Sequence, residues 1–374
     1  MMLLLLPAAC TTGAGAADTS PIVIAASLEL TGSGASVGTA YKRAMDLEVA
    51  RLNAGDTLNG RRIKLDVKDN RTESATALSQ ITGFTSDPSV TAIVSGVCGE
   101  CATAAAKVVE DRGVPMITLA PASQTLAADN RKYMFKLAPN PIDDANAIIR
   151  AVAQNNLRTI GLLTPDDAYG KDGNAAMEAG LNRSGVNMIT SAKYRASDTD
   201  LTAPARSVAN ARPEAVVVWG LPAQANAAAK GLKDAGYTGK IYFDASAAGD
   251  LFLSAAGASA DGGTMVYVPT LAIDDVIATT PAKAARKRWF EDYTSRYGVY
   301  QGPASFAADA VRLIADAVGR SGSTERAALR NRLETTRIEG LSGPIRITPN
   351  NHSGLMPQAL TMLVARNGRW RLLG

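Results

Sequence analysis

The sequence predicts an α/β protein made of two doubly wound lobes, each a mainly parallel sheet wrapped by helices. Three observations carry that expectation. The chain has 374 residues, enough for two domains of ~150 residues each. Short apolar runs alternate with stretches of helical periodicity, the pattern of repeated β-α-β units. That pattern restarts after Pro139-Asn140-Pro141, so the series occurs twice.

In the first series, Ile22 to Ala26 reads as a buried strand and Ile63 to Val67 as an alternating one. Ala92-Ile93-Val94 and Pro115-Met116-Ile117 follow. Between the first two, Tyr41, Ala44, Met45, Leu47, Glu48 and Leu52 keep a helical spacing up to Asn53-Ala54-Gly55. The second series begins with Asp143 and Asp144, acids suited to a helix N-terminus. Ala145, Ile148, Ile149, Val152 and Ala153 then form one apolar stripe. Strands are expected at Ile160 to Leu163, Met188 to Tyr194, Val216 to Trp219 and Ile241 to Phe243. A helix from Pro222 stops at the glycine of Ala235-Gly236-Tyr237. From about Leu271 the chain reads as helical up to Arg337, with Lys283, Arg286, Lys287 and Arg288 on a basic face expected to meet solvent. Ile345 to Ile347, Leu360 to Val364 and Trp370 to Leu372 read as strands, the last two joined by the hairpin signal Asn367-Gly368.

Composition narrows function. The 39 Lys and Arg against 35 Asp and Glu leave only +4, too weak and dispersed for a nucleic-acid surface. His352 is the single histidine, so triads, relays and multi-histidine metal sites have nothing to draw on. Its setting, Pro349-Asn350-Asn351-His352-Ser353-Gly354, reads as a solvated turn.

The apolar run Met1 to Ala9 is far shorter than the ~20 residues that span a bilayer and reads as the end of a secretory signal. Leu6-Pro7-Ala8-Ala9-Cys10 resembles a bacterial lipobox, which would make Cys10 a lipidated N-terminus; cleavage near Ala14-Gly15-Ala16 is the competing reading. Either places the chain outside the cytoplasm. There, Cys98 and Cys101 are expected to form a local disulfide. Zinc finds no second cysteine pair and no nearby histidine.

Two motifs lie in Gly32 to Gly38. The glycines form a loosened dinucleotide fingerprint, but the candidate acid, Asp69, lies too far downstream. Gly34-Ala35-Ser36-Val37-Gly38 matches a nucleophile elbow, but the only histidine lies in a distant turn. The simpler reading is a glycine loop that opens a helix at a cleft. Ser95 to Thr103 and Thr118 to Ser123 are further loops of that kind. The second series adds Pro165 to Gly170, Trp219 to Pro222 and Asp244 to Ser246. Such strand-end loops form a crevice at the carboxyl edge of a parallel sheet. No nucleophile–base pair or ligand cluster appears among them, so binding without catalysis is expected.

Leu30-Thr31-Gly32 with Gly38, Asn59-Gly60-Arg61-Arg62-Ile63, Lys68-Asp69, Gly113 to Ile117, Tyr133 to Lys136, Ala168-Tyr169-Gly170, Asp198 to Leu201 and Asp234 to Tyr237 occur in a telling order. Together they resemble the type I periplasmic substrate-binding proteins of branched-chain amino-acid ABC transporters. The resemblance implies the type I periplasmic binding protein fold, three chain crossings, hinge closure over a small molecule and docking on a membrane permease. It divides the chain into a leader at 1–19, lobe one at 20–140 plus 268–352, and lobe two at 141–267 plus 353–374. No cofactor, metal or nucleic acid is implied.

The resemblance also places ligand contacts. Cys98 matches the family's cysteine, but Gly99 stands where leucine binders have a carboxylate-gripping serine. The carboxylate loop falls on Ala120 to Ser123, with Ala122 at its usual threonine. The ammonium-binding acid falls at Ala245, with Asp244 one place earlier. Tyr169 is kept, whereas aromatics are replaced by Leu221 and Val37. Glu100 is a departure that either caps the helix or points into the cleft. With Trp219 and Phe306, this set suits an amino-acid-like ligand, an amide, or an aromatic or aliphatic acid. The expected role is solute capture for an importer; the alternative is a sensor of the same fold that feeds a signalling partner.

Overall fold

The computed structural model describes residues 19–373 apart from 56, 57, 59, 127–130, 183, 196, 249–258, 299 and 301. Cys10 and the leader lie outside the described residues.

β1 (Ile22–Leu28), α1 (Ala35–Ala54), β2 (Ile63–Asp69), α2 (Ser74–Ser86), β3 (Val90–Ser95), α3 (Gly99–Arg112), β4 (Met116–Thr118) and β5 (Met134–Lys136) form the first unit. Its five parallel strands run in the order β2-β1-β3-β4-β5. β1 and β3 are buried at every residue, as strands covered on both faces must be. β2 forms the edge, so its charged residues Lys64, Asp66 and Lys68 can alternate outward.

The second unit contains α4 (Pro141–Gln154), β6 (Thr159–Pro165), α5 (Ala168–Leu181), β7 (Asn187–Tyr194), α6 (Thr202–Asn210), β8 (Ala215–Val218), α7 (Pro222–Asp234), β9 (Lys240–Phe243) and β10 (Thr264–Tyr267). The chain continues through α8 (Pro281–Tyr297), α9 (Ala304–Ser321) and α10 (Arg326–Leu333) to β11 (Arg337–Glu339), β12 (Pro344–Arg346), β13 (Thr361–Arg366) and β14 (Arg369–Leu372). The second sheet runs β14-β13-β10-β9-β8-β6-β7. Its β10-β9-β8-β6-β7 part is parallel, and the C-terminal hairpin adds two antiparallel strands at the β10 side. Asn367 and Gly368 both take positive φ, 52° and 71°, as a tight two-residue hairpin requires.

The helices after β10 return to the first unit. Glu48 on α1 is 2% exposed and accepts from Trp289 Nε1 of α8 and Arg312 Nε of α9, each at 2.7 Å. A buried carboxylate needs such partners, because an unpaired one costs several kcal/mol (of order 3–5). Three chain segments thus run between the units, around 137–140, 268–280 and 354–360. The first and third lie side by side: Lys136 N donates to His352 O at 3.0 Å, and Gly354 N to Lys136 O at 2.9 Å.

Two expectations are corrected here. His352 is not solvated. Its ring stacks on Phe135 with centroids 4.4 Å apart, and its nitrogens contact Met134 O at 2.8 Å and Glu334 Oε1 at 2.9 Å. The turn exists, closed by reciprocal Thr348–Asn351 hydrogen bonds, but the next residue folds inward. The basic face of α8 is also not uniformly solvated: Arg286 is buried and donates to Gly340 O at 2.8 Å.

Candidate functional site

In the first sheet, β1 has its sequential neighbour β2 on one side and β3 on the other; in the second, β6 stands likewise between β7 and β8. These are the two places where chain direction across a sheet reverses, and loops there splay apart to leave a crevice. The loops after β1 and β3 face those after β6 and β8 across a cavity of about 330 Å³. Ser33 and Gly34, Val97 to Glu100, Pro165, Asp167 to Tyr169, and Gly220 with Leu221 all line it. A smaller, more apolar chamber adjoins it and shares Val97, Pro121 and Leu221. Val37, Ala245, Tyr267 and Phe306 lie in that inner chamber.

Gly99, Glu100, Ala122, Tyr169 and Leu221 therefore line the larger cavity, together with Cys98. Val37, Ala245 and Phe306 line the inner one. Ala120, Trp219 and Asp244 are fully buried and line neither. Ala120 N is taken by Thr118 Oγ1 at 3.2 Å. Trp219 packs behind Tyr169, with ring centroids 6.1 Å apart. Ser123 also lines neither cavity; its N–H donates to Asp172 Oδ2 of α5 at 2.8 Å, a contact that crosses from one unit to the other.

Asp244 stands directly behind the wall. Gly220 N donates to its Oδ1 at 2.8 Å and Ser246 N to its Oδ2 at 2.9 Å. The Tyr169 hydroxyl also donates to Oδ2 and lies 2.6 Å from Ser246 Oγ. Burial raises the Asp244 carboxyl to about 6, against the lowering pull of these donors. Burial likewise raises the Tyr169 phenol, helped by the Asp244 charge. Asp144 on α4 is a second buried carboxylate. It accepts from Ala245 N at 3.3 Å, while its Oδ1 has no hydrogen-bond partner among the described residues. Burial, then the nearby Asp244, holds its pKa well above the usual range. Lys136 is buried too and donates to Pro121 O at 2.7 Å. Burial lowers its pKa to about 8, although Asp144 pulls the other way.

Glu29 was not among the sequence candidates, yet it organises this edge. Fully buried at the end of β1, its carboxylate accepts from Val97 N at 2.9 Å, Cys98 N at 3.3 Å and Asn70 Nδ2 at 3.1 Å. It fastens the β3–α3 loop to β1. Gly96 permits the approach, since a Cβ there would fall 1.9 Å from Glu29 Oε2. Burial raises the Glu29 pKa, the hydrogen bonds lowering it in part. Asp69, weighed above as a nucleotide acid, accepts from the Leu30 and Thr31 amides at 3.0 and 3.1 Å. It is a loop anchor.

Cys98 and Cys101 are joined by a disulfide at the start of α3. Together with Glu29 they form the one group among the described residues whose ligand atoms lie close enough for a metal ion. The sulfurs are bonded to each other and the carboxylate is held by amides, so this donor set is already occupied. The arrangement as a whole is a lined cleft without a nucleophile–base pair among the described residues. It can bind and enclose a small molecule.

Comparison with known proteins agrees with this geometry. The family described as "Periplasmic binding protein" matches residues 21–369. An "Amino acid binding protein" of Pseudomonas aeruginosa is 23% identical over 239 residues, 63% of each chain. A "Chemotactic signal transduction system substrate-binding protein BasB" of Halobacterium salinarum is 24% identical over 230 residues, 59% of this chain and 55% of that one. The chain thus matches somewhat under two thirds of the length of these curated relatives. Among solved structures, an extracellular ligand-binding receptor from Rhodopseudomonas palustris HaA2 superposes with a TM-score of 0.86 at 22% identity, covering 95% of this chain and 100% of that one.

Proposed function

The chain belongs to the periplasmic binding protein family and has its type I fold, and from that premise we propose that it is the extracytoplasmic solute-binding component of an ABC importer. It captures a small organic molecule between two lobes, residues 20–140 plus 268–352 and residues 141–267 plus 353–374. Closure about the three crossing segments then presents a shape that a membrane permease reads. The observation that carries this reading is the meeting of both switch-point loop sets on one cavity. At positions carried over from the resemblance, Gly99, Ala122, Tyr169 and Leu221 are the proposed first contacts, with Glu100, a departure from the family, beside them on the cavity wall. Asp244 acts through Tyr169. Ala120, Ser123 and Trp219 support the wall.

Thermal unfolding of protein refolded to remove carried-over ligand tests the proposal. A ligand at ~100 times its dissociation constant adds ~2.7 kcal/mol, so a member of a panel of amino acids, amides, amines and organic acids should raise the midpoint. A bound ligand seated away from the cleft would overturn the reading. The relative named for chemotactic signal transduction favours one second reading, a receptor for a signalling partner. Stimulation of permease ATP hydrolysis by the loaded protein separates the two.

A further inference from the structure

We propose that the Cys98–Cys101 disulfide is a thiol–disulfide exchange site that opens into the cleft and reacts with small thiols entering the cavity. The inference is independent of which solute the protein carries.

The pair is placed asymmetrically. Cys98 is half-buried and lines the larger cavity. Cys101, three residues on in the first turn of α3, is 2% exposed and lines neither chamber. One end of the disulfide thus meets what enters the cleft, and the other is closed off from it. Exchange proceeds by attack of a thiolate on an accessible sulfur, so Cys98 is the sulfur attacked.

A structural staple is a poor account of this bond. Its ends are three residues apart, so it closes a single turn and takes little freedom from the unfolded chain compared with a long loop. The surroundings suit the reduced pair instead. Cys98 is the N-cap of α3, and its sulfur accepts from Cys101 N at 3.1 Å. A thiolate on Cys98 would keep that hydrogen bond and lie at the positive end of a 14-residue helix. Stabilising the reduced form makes a disulfide easier to reduce. The fully buried Glu29 lies beside both sulfurs, its carboxylate oxygen within 4.8 Å of each. Burial raises its pKa, which suits it to hold and pass on a proton there.

In the exchange, a small thiol RSH gives up its proton and its sulfur bonds to Cys98 Sγ. The Cys98–Cys101 bond breaks, its electron pair goes to Cys101 Sγ, and that sulfur takes up a proton by way of Glu29. A second thiol attacks the mixed disulfide, releases RSSR and leaves Cys98 reduced. Two small thiols are oxidised and one protein disulfide is reduced.

The test equilibrates the oxidised full chain in graded buffers of reduced and oxidised glutathione, followed by alkylation and peptide mapping, which reads Cys10 separately. The Cys98–Cys101 pair should pass from oxidised to reduced within that range, where structural disulfides stay oxidised. Single variants then locate the reactive sulfur. Cys101→Ser should form a mixed disulfide with cystamine at Cys98, and Cys98→Ser should react at Cys101 at least about tenfold more slowly, following its burial. A disulfide that persists in the folded protein through the whole range overturns the proposal, as does the absence of a Cys98–Cys101 bond after air oxidation. Equal or faster reaction at Cys101 overturns it too, because the accessible sulfur would then not be the one in the cleft.

Discussion

The Asp244 carboxylate accepts from Tyr169, Gly220 and Ser246, yet burial still lifts its pKa from 3.8 to about 6. The folded form therefore holds its proton more tightly than the unfolded chain does. Below about pH 4 both states are protonated and the group is neutral in its effect. Between about pH 4 and 6 the folded state binds the extra proton, so stability falls as pH rises. Above that window the cost of keeping the ionised group in place is about 3 kcal/mol, from two pKa units at 1.36 each. Asp244→Asn removes the titration. Its urea-derived stability should fall about 3 kcal/mol less than that of the wild type between about pH 3 and 7, whatever its baseline. Asp144, raised in part by the Asp244 charge, moves the same way. Parallel pH profiles would show that the carboxylate is not strained by its setting.

At the scale of the element, α8 shows how a solvent-facing charge pattern conceals an inward residue. Arg286, Lys287 and Arg288 look alike in sequence, but Arg286 is buried with its guanidinium on Gly340 O, while Arg288 is exposed. Arg286→Ala should cost about 2 kcal/mol, the lost hydrogen bond of a charged group with its packing; Arg288→Ala should stay within about 0.5 kcal/mol. Denaturant midpoints of the two variants check this, and equal effects would mean that the buried contact carries no weight. The same contrast explains what was legible beforehand. β1, β3, β6 and β8 could be read because burial on both faces demands unbroken apolar runs. The Asn367-Gly368 hairpin could be read because its backbone needs those residue types. β5 and β10 place Lys136 and Thr264 within three and four residues, so no unbroken apolar run marks them, and each is held by pairing with a neighbouring strand. Glu29 and His352 were missed because their partners are distant in sequence: Val97 and Cys98 for the one, Met134 and Glu334 for the other. An acid at the end of an apolar strand, just before a glycine loop, was the one available hint of Glu29.

For the whole molecule, the question is what sets the balance between an open and a closed cleft. The two units share three crossing segments, two of them paired beside Lys136, with Ser353 Oγ on Asn140 Oδ1 at 2.8 Å. Hinge closure takes up its φ/ψ change in a few such loop residues. Across the mouth, Asp172 on α5 accepts the Ser123 amide at 2.8 Å. A hydrogen bond from an exposed amide to a charged group contributes about 1 kcal/mol, enough to shift a two-state population several-fold. Asp172→Ala should therefore open the empty protein. Small-angle scattering should give a larger radius of gyration for the free variant than for the free wild type, and equal radii once both are saturated with ligand. Because only the closed fraction holds the ligand fully, apparent affinity should fall by the ratio of the closed fractions of the two free proteins, which the scattering reports. The agreement of the two numbers is the point of the experiment. A loss of affinity without expansion would make Asp172 part of the local wall, whereas expansion with matching loss would make the Ser123–Asp172 contact the latch of the cleft.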